Sequence, residues 1–376
     1  MSLYLDYNAS APILPEVLDL MIETYRTTYG NADSRTHIFG TKAQKLVNDS
    51  RAQIASVLGV NTSEIIFTSG STESNNTSIL GILEYANTTG KKHIITTAIE
   101  HKSILEPLHY LEKLGFKVDY VKPDESGRIC ADTVLSLVTD DTCLVSVMFV
   151  NSETGIIQPV DVIGSALKEK SVLFHIDATQ ALGKLNKEIR NLNYNMMSIA
   201  RHKIGGPQGI GALILRWGNQ YKRPPITPLM YGGSQERGFR PGTTPVALVA
   251  GFAKAIELCE ANLELNYQNC CEVKKTFFDT IADLPYIING DPQHCLPSTV
   301  NISIDGLDAE AAFLCLGDNY SFSNGSACNS SSHSLSYVLE AMGLDEKRKS
   351  EAIRLSWNGS KHIDFSNFVS IVKSMI

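Results

Sequence analysis

Short apolar runs rich in β-branched residues punctuate the first 215 positions: IIFT (65–68), HIITTAI (93–99), CLVSVMFV (143–150), VLFHID (172–177), MMSIA (196–200) and GALIL (211–215). Stretches of helical character separate most of them. The apolar residues occupy consecutive positions rather than alternate ones, which is the mark of strands covered on both faces. The pattern predicts an α/β fold in which a mostly parallel sheet is wrapped by helices, with reactive groups at the C-terminal ends of the strands. Residues 244–283 read as long helical material, and TVNISID, YSFSN and AIRLSW beyond them read as strands mixed with helices. That change of pattern predicts a second, smaller α+β domain. The Pro- and Gly-rich stretch 224–242 interrupts the first domain without ending it.

Composition narrows the function classes. The 376 residues are 43% hydrophobic and 19% charged, as in a protein that is globular throughout. With 33 basic against 40 acidic side chains the net charge is −7, so direct nucleic-acid binding is not expected. The opening MSLYLDYNASAP has no basic segment leading into an apolar one, and no apolar run reaches bilayer length; a cytoplasmic protein without a membrane partner is expected. Eight cysteines, at 130, 143, 259, 270, 271, 295, 315 and 328, form no CxxC pair and no metal-ligand spacing, so reduced thiols and no metal site are expected. Cys143 and Cys315 stand in apolar surroundings and read as small buried hydrophobes. Cys328 is the exception.

Four segments carry candidate chemistry. IIFTSGSTESNN runs from a strand through small hydroxyl residues into a helix beginning near Thr72. Free amides and the helix dipole favour an anion there, making Gly70, Ser71 and Thr72 candidates to hold a phosphate, although an ordinary Ser/Thr cap followed by Glu has the same look. VLFHIDATQ places Asp177 directly after an apolar strand, where a carboxylate calls for a cationic or protonated partner such as a pyridine nitrogen, or else caps a turn. In MMSIARHKIGGPQGIGAL, Lys203 sits between a strand and a Gly-rich loop, a setting for a Schiff-base amine beside a planar cofactor. In SFSNGSACNSSSHSLSYVLEAMG, Cys328 has no apolar cover, which suits an exposed, travelling nucleophile as well as an incidental surface thiol.

Together these segments resemble the class I cysteine desulfurases, the NifS/IscS-type branch of the fold-type I pyridoxal-phosphate enzymes. The likeness covers essentially the whole chain, through LDYNASAP, YGNADSRTHIFG, TSGSTESNN, AIEHKSIL, NSETGIIQP, HIDATQALGK, HKIGGPQGIGAL, GGSQERGFRPGTT, FSNGSACNSSS and EAIRLSW. GGSQERGFRPGTT and the GSAC loop are the most diagnostic. The resemblance implies a large domain over 15–257, with a mixed, mostly parallel seven-stranded sheet between helices. It implies a small α+β domain from 1–14 and 258–376 that carries the Cys328 loop. It implies pyridoxal 5′-phosphate as cofactor, with Lys203 as its Schiff-base lysine, Asp177 on the pyridinium nitrogen, His101 stacked on the ring and Gln180 on the ring hydroxyl. Asn151 would sit beside the ring, Ser71, Thr72 and His202 at the phosphate, and Thr243 at the phosphate of a partner subunit, making a homodimer. Arg354 and Asn31 match the positions that grip the substrate carboxylate. The implied reaction takes sulfur from L-cysteine, leaves L-alanine and a Cys328 persulfide, and passes the sulfur to an acceptor protein. His101 and Lys203 are its candidates for proton transfer.

Two departures from the family pattern stand out. Where relatives read Ser-Gly-His-Lys, this chain has Ala200, Arg201, His202 and Lys203, so a phosphate-binding hydroxyl is missing and Arg201 either replaces it with charge or points elsewhere. The chain also runs only a short way beyond Arg354, in a region that docks sulfur acceptors in relatives. Three other readings stay open: a selenocysteine lyase or an aminotransferase on the same fold, and a weakly active regulatory subunit of a sulfur-transfer complex. The destination of the sulfur is open too, with iron–sulfur assembly the default beside tRNA thiolation, DNA phosphorothioation and cofactor thiolation.

Overall fold

The computed structural model describes residues 2–217, 223–323, 335–359 and 363–376. Twelve strands lie among them: β1 (Leu3–Tyr4), β2 (Ile65–Thr68), β3 (His93–Thr97), β4 (Lys117–Val121), β5 (Thr142–Met148), β6 (Leu173–Asp177), β7 (Met196–Ala200), β8 (Gly211–Leu215), β9 (Tyr286–Ile288), β10 (Thr299–Ile304), β11 (Tyr320–Ser321) and β12 (Ala352–Ser356). Seven of them form the central sheet in the order β2-β8-β7-β6-β5-β3-β4. Neighbours from β7 to β4 are parallel, while β8 runs antiparallel to both β2 and β7.

The consecutive apolar runs have their explanation in the two cores on either face of this sheet. Phe67, Ile95, Val145, Phe174 and Ile214 enter one core, together with residues of the helices Ile38–Leu58 and Val246–Ala261. Their neighbours Ile66, Ile94, Leu144, Leu173 and Leu213 enter the other, against Ile79, Ile104 and Leu108. Side chains alternate faces along a strand, so a strand buried on both sides must be apolar at every position. Burying each such side chain contributes roughly 1.5–3 kcal/mol.

All six predicted runs are strands of this sheet. The seventh, β4, was not predicted, and its exposure explains why: unlike β2 at the other edge, which is buried throughout, this edge strand leaves Lys117 to Tyr120 exposed or half-buried. A strand covered on so little of its surface needs no apolar run, so KVDYV carries no hydrophobic signal.

A separate core is built on the antiparallel sheet β12-β10-β9. Val300, Ile302, Ile353 and Leu355 pack there with Phe277 and Val273 of the helix Leu263–Thr280, Phe368 of Ser366–Lys373, and Leu5 from the N-terminal segment. That segment joins the last third of the chain because β1 pairs in parallel with β11. The helical material expected over 244–283 is the pair Val246–Ala261 and Leu263–Thr280.

Cys143 is buried, as its surroundings predict. Cys315 is not. The helix Ala309–Leu316 buries Ala309, Ala312 and Leu316, and this spacing turns Leu314, 85% exposed, and Cys315 to the opposite face. Apolar neighbours in sequence mislead where one helix face is left uncovered. No helix among the described residues is long and apolar enough to cross a membrane.

Candidate active site

A cavity of about 420 Å³ opens where β2, β5, β6 and β7 end. Gly70, Ser71, Thr72, His101, Asp177, Gln180, His202 and Lys203 all line it, so eight of the residues singled out from sequence meet at the expected edge of the sheet.

The helix Ser71–Leu80 starts at this cavity. Its cap is Gly70, which has no side chain to consume the first amides, and Glu73 reaches back to accept the Ser69 N–H at 2.7 Å. The opening turn of a helix offers amides without intrahelical partners, and here Ser71 and Thr72 present theirs at the cavity wall. Close packing requires glycine on the other side: a Cβ at Gly211 would stand 2.7 Å from the Gly70 Cα.

Asp177 ends β6, and hydrogen bonds fix its carboxylate. Oδ1 accepts the Thr179 N–H at 2.9 Å and Oδ2 accepts the Asn75 Nδ2–H at 2.8 Å. Asn75, fully buried, gives its other amide hydrogen to Ser103 Oγ at 2.8 Å. Ser103 in turn holds His101: its N–H donates to His101 Nδ1 at 3.1 Å and its Oγ lies 2.7 Å from the same nitrogen. A ring nitrogen that accepts a backbone N–H carries no proton, so neutral His101 bears its hydrogen on Nε2. Burial, together with the Lys203 charge, pulls the His101 pKa below its ordinary value, against an opposing pull from Asp177. His202 is driven down to about 4, by burial first and then by the charges of Lys203 and His101. Both imidazoles are therefore neutral near pH 7.

Lys203 follows β7 in a tight turn. Gly205 has φ +83°, and a Cβ there would meet Leu14 Cγ at 2.5 Å, so only glycine fits. Gln180 is buried beside the cavity. It donates to the Asn8 carbonyl at 2.9 Å and accepts from Lys184 Nζ at 3.2 Å.

Other predicted residues lie apart. Asn151 is buried with its Oδ1 accepting the N–H groups of Glu153 and Thr154 and its Nδ2 donating to the Ile99 carbonyl, so it shapes the loop after β5 and does not line the cavity. Arg354, on β12, is ion-paired with Asp6 at 2.6 Å and donates to the carbonyl of Ser152, itself a cavity residue. Asn31 is exposed and accepts the Asp33 N–H at 2.9 Å. Thr243 is exposed and away from its own chain's cavity. Cys328 lies outside the described residues. Arg201 points elsewhere: it is fully buried over the Phe252 ring, 5.9 Å from the centroid, and none of its guanidinium nitrogens has a hydrogen-bond partner. It brings no charge to the cavity.

Sequence reasoning missed Asn75, Ser103, Asp6 and Asn8. Each stands inside a quoted motif, TSGSTESNN, AIEHKSIL or LDYNASAP, so position in a motif was the available signal.

The family model for class-V aminotransferases matches residues 3–356. The chain belongs to the class-V aminotransferase family. Among its relatives in that family, the cysteine desulfurase IscS of Rickettsia massiliae is 40% identical over 356 residues, spanning 94% of this chain and 86% of the relative. A NifS-like protein superposes with a TM-score of 0.90 at 34% identity, covering 100% of this chain and 98% of that one. SspA, solved in complex with cysteine, gives 0.84 at 34% identity, with 96% and 99% covered. Class-V aminotransferases work with pyridoxal 5′-phosphate, and the donor set here fits that group. It combines a helix N-terminus for a phosphate, a fixed carboxylate for a protonated ring nitrogen, an imidazole and an amine around one cavity.

Proposed function

We propose that this chain is a cysteine desulfurase: it takes L-cysteine and the Cys328 thiol and produces L-alanine and a Cys328 persulfide. The observation that carries the reading is the single cavity where Lys203, His101, Asp177 and the Ser71 helix terminus converge, in a chain similar along most of its length to cysteine desulfurases. When bound, pyridoxal phosphate supplies an electron sink that labilises bonds at the substrate's Cα and Cβ. Asp177, braced by Asn75 and Thr179, keeps the cofactor's ring nitrogen protonated. Ser71 and Thr72 hold the phosphate with His202, and His101 and Gln180 flank the ring. Lys203 would anchor the cofactor and its amine would move the substrate's Cα proton, while the neutral His101 would exchange a proton with the sulfur.

Arg354 receives the substrate carboxylate, exchanging its Asp6 partner for it, with Asn31 as a second group for the same carboxylate. Thr243 reaches the phosphate of a second subunit, which accounts for its exposure and makes the enzyme a homodimer. The persulfide passes to an acceptor protein in the cytoplasm, with iron–sulfur assembly as its principal outlet.

The test is alanine and sulfide release from L-cysteine with a reductant present, with the visible spectrum recorded. Wild type should turn over; Cys328→Ala should keep the cofactor band and lose sulfide; Lys203→Ala should lose both the band and turnover. A yellow wild-type protein that forms no alanine from L-cysteine would instead point to a selenocysteine lyase, an aminotransferase or a regulatory subunit.

A further inference from the structure

Lys203 also lines a second cavity, of about 330 Å³. It lies between the C-terminal end of the helix Val246–Ala261, the start of Leu263–Thr280, and the segments 296–298 and 357–359 that flank β10 and β12. Its wall is largely apolar, formed by Leu14, Leu258, Leu263, Tyr267, Leu296 and Trp357. Two donors stand among these residues. Ser298 is 4% exposed, and its Oγ has no hydrogen-bond partner. Among the described residues, Lys184 Nζ reaches two neutral acceptors, Asn8 Oδ1 at 3.4 Å and Gln180 Oε1 at 3.2 Å, and no carboxylate, which leaves its third hydrogen and its charge without a counter-ion there. Burial lowers the Lys184 pKa to about 8, so it remains a cation at neutral pH. Glu16, the acidic residue on the wall, is exposed.

An unpartnered hydroxyl and an uncompensated ammonium in an apolar chamber are costly unless something completes them. We propose that this cavity is a second ligand site, for a small amphipathic carboxylate whose head binds Lys184 and Ser298 and whose apolar body packs on Trp357 and the leucines. The site communicates with the first. An anion that draws Lys184 toward it loosens the contact with Gln180, whose side chain lines the catalytic cavity, and Lys203 borders both chambers. The ligand thus acts as an effector of cofactor and substrate binding.

Calorimetric titration of the holoenzyme with sodium octanoate tests this. The expected result is saturable binding that survives saturation with L-alanine and weakens about tenfold in Ser298→Ala, in Lys184→Met and in Leu258→Trp, which narrows the chamber. Leu258→Trp should keep the cofactor absorbance band and the wild-type melting temperature, which shows that it folds. Absence of binding, displacement by L-alanine, or unchanged affinity in Ser298→Ala would overturn the proposal. Because the readout is heat on a loaded protein, it is independent of whether the chain desulfurates cysteine.

Discussion

Asn75 connects the two sides of the catalytic cavity with one carboxamide, donating to Asp177 and to Ser103, which holds His101. Removing it leaves the Asp177 carboxylate short of a donor and frees the Ser103 hydroxyl to rotate away from His101 Nδ1, so the imidazole keeps only the backbone N–H of Ser103 to hold it. Asn75→Ala should lower kcat about 10–100-fold and move the limb of the pH–rate profile that reports His101, whereas a purely structural role would leave that limb in place. Glu100, the residue before His101, tells of a different balance. It is fully buried, its Oε1 accepts from Thr97 Oγ1 and the Met148 N–H, and its Oε2 has no partner. Burial pushes its pKa up to about 8. The native state thus binds a proton that the unfolded chain releases near 4.5, and this stabilisation, complete below 4.5, is lost as the pH rises through 8. Thermal melts should show the wild type losing stability between pH 5 and pH 8.5, and Glu100→Gln should flatten that slope; equal slopes would contradict the assignment. At this scale the sequence disclosed residues whose chemistry is unusual for their surroundings, such as Lys203 and Asp177. It did not disclose Asn75 or Ser103, because a polar residue early in a helix looks like a solvated one until the neighbouring helix covers it.

The turn after β7 shows what one short connection decides. Gly205, at φ +83° and against Leu14, sets the path that follows Lys203. Gly205→Ala should cost roughly 1–3 kcal/mol from backbone strain and overpacking, measured by urea denaturation, and should weaken cofactor retention by shifting Lys203. Two residues earlier than Lys203, Arg201 buries a guanidinium with no hydrogen-bond partner among the described residues; burial lowers its pKa to about 9, against the Phe252 ring and the charges of Cys259 and Glu260, which favour the cation. A buried charge in that state is expensive, so Arg201→Met, of similar length and apolar, should leave stability unchanged or raise it by about 1–3 kcal/mol in the same assay. A clear loss would mean that the guanidinium has a stabilising partner in the working assembly. Elements were legible in proportion to how completely they are covered. The six strands buried on both faces announced themselves as apolar runs, whereas edge strand β4 and the outward face of the helix Ala309–Leu316 carried no pattern that separates them from loop or core.

For the molecule as a whole, the cores explain how the cavity of the large sheet and the smaller sheet share one chain. We propose that residues 1–14 and 258–376 form the smaller domain: Leu5 packs in the core built on β10 and β12, apart from the two cores of the large sheet. Ile99 and Met148, beside the cavity, pack with Leu339 and Met342 from the chain that follows the Cys328 segment. Ser336 there hydrogen-bonds the buried Glu153 carboxylate, and Tyr337 Oη donates to the Glu100 carbonyl, so the C-terminal root of that segment is held next to His101. Long-range pairings of this kind have no local signature, and only motif order hinted at them. In the proposed reaction, sulfur from L-cysteine comes to rest on Cys328. The most direct measurement is mass spectrometry of the Cys328 peptide, after one equivalent of L-cysteine is added to holoenzyme without reductant and the thiols are blocked. This peptide alone should gain the mass of one sulfur atom, in step with the alanine formed, and the Lys203→Ala protein should gain none. Alanine formed while the added sulfur is found on another cysteine, or on none, would contradict it.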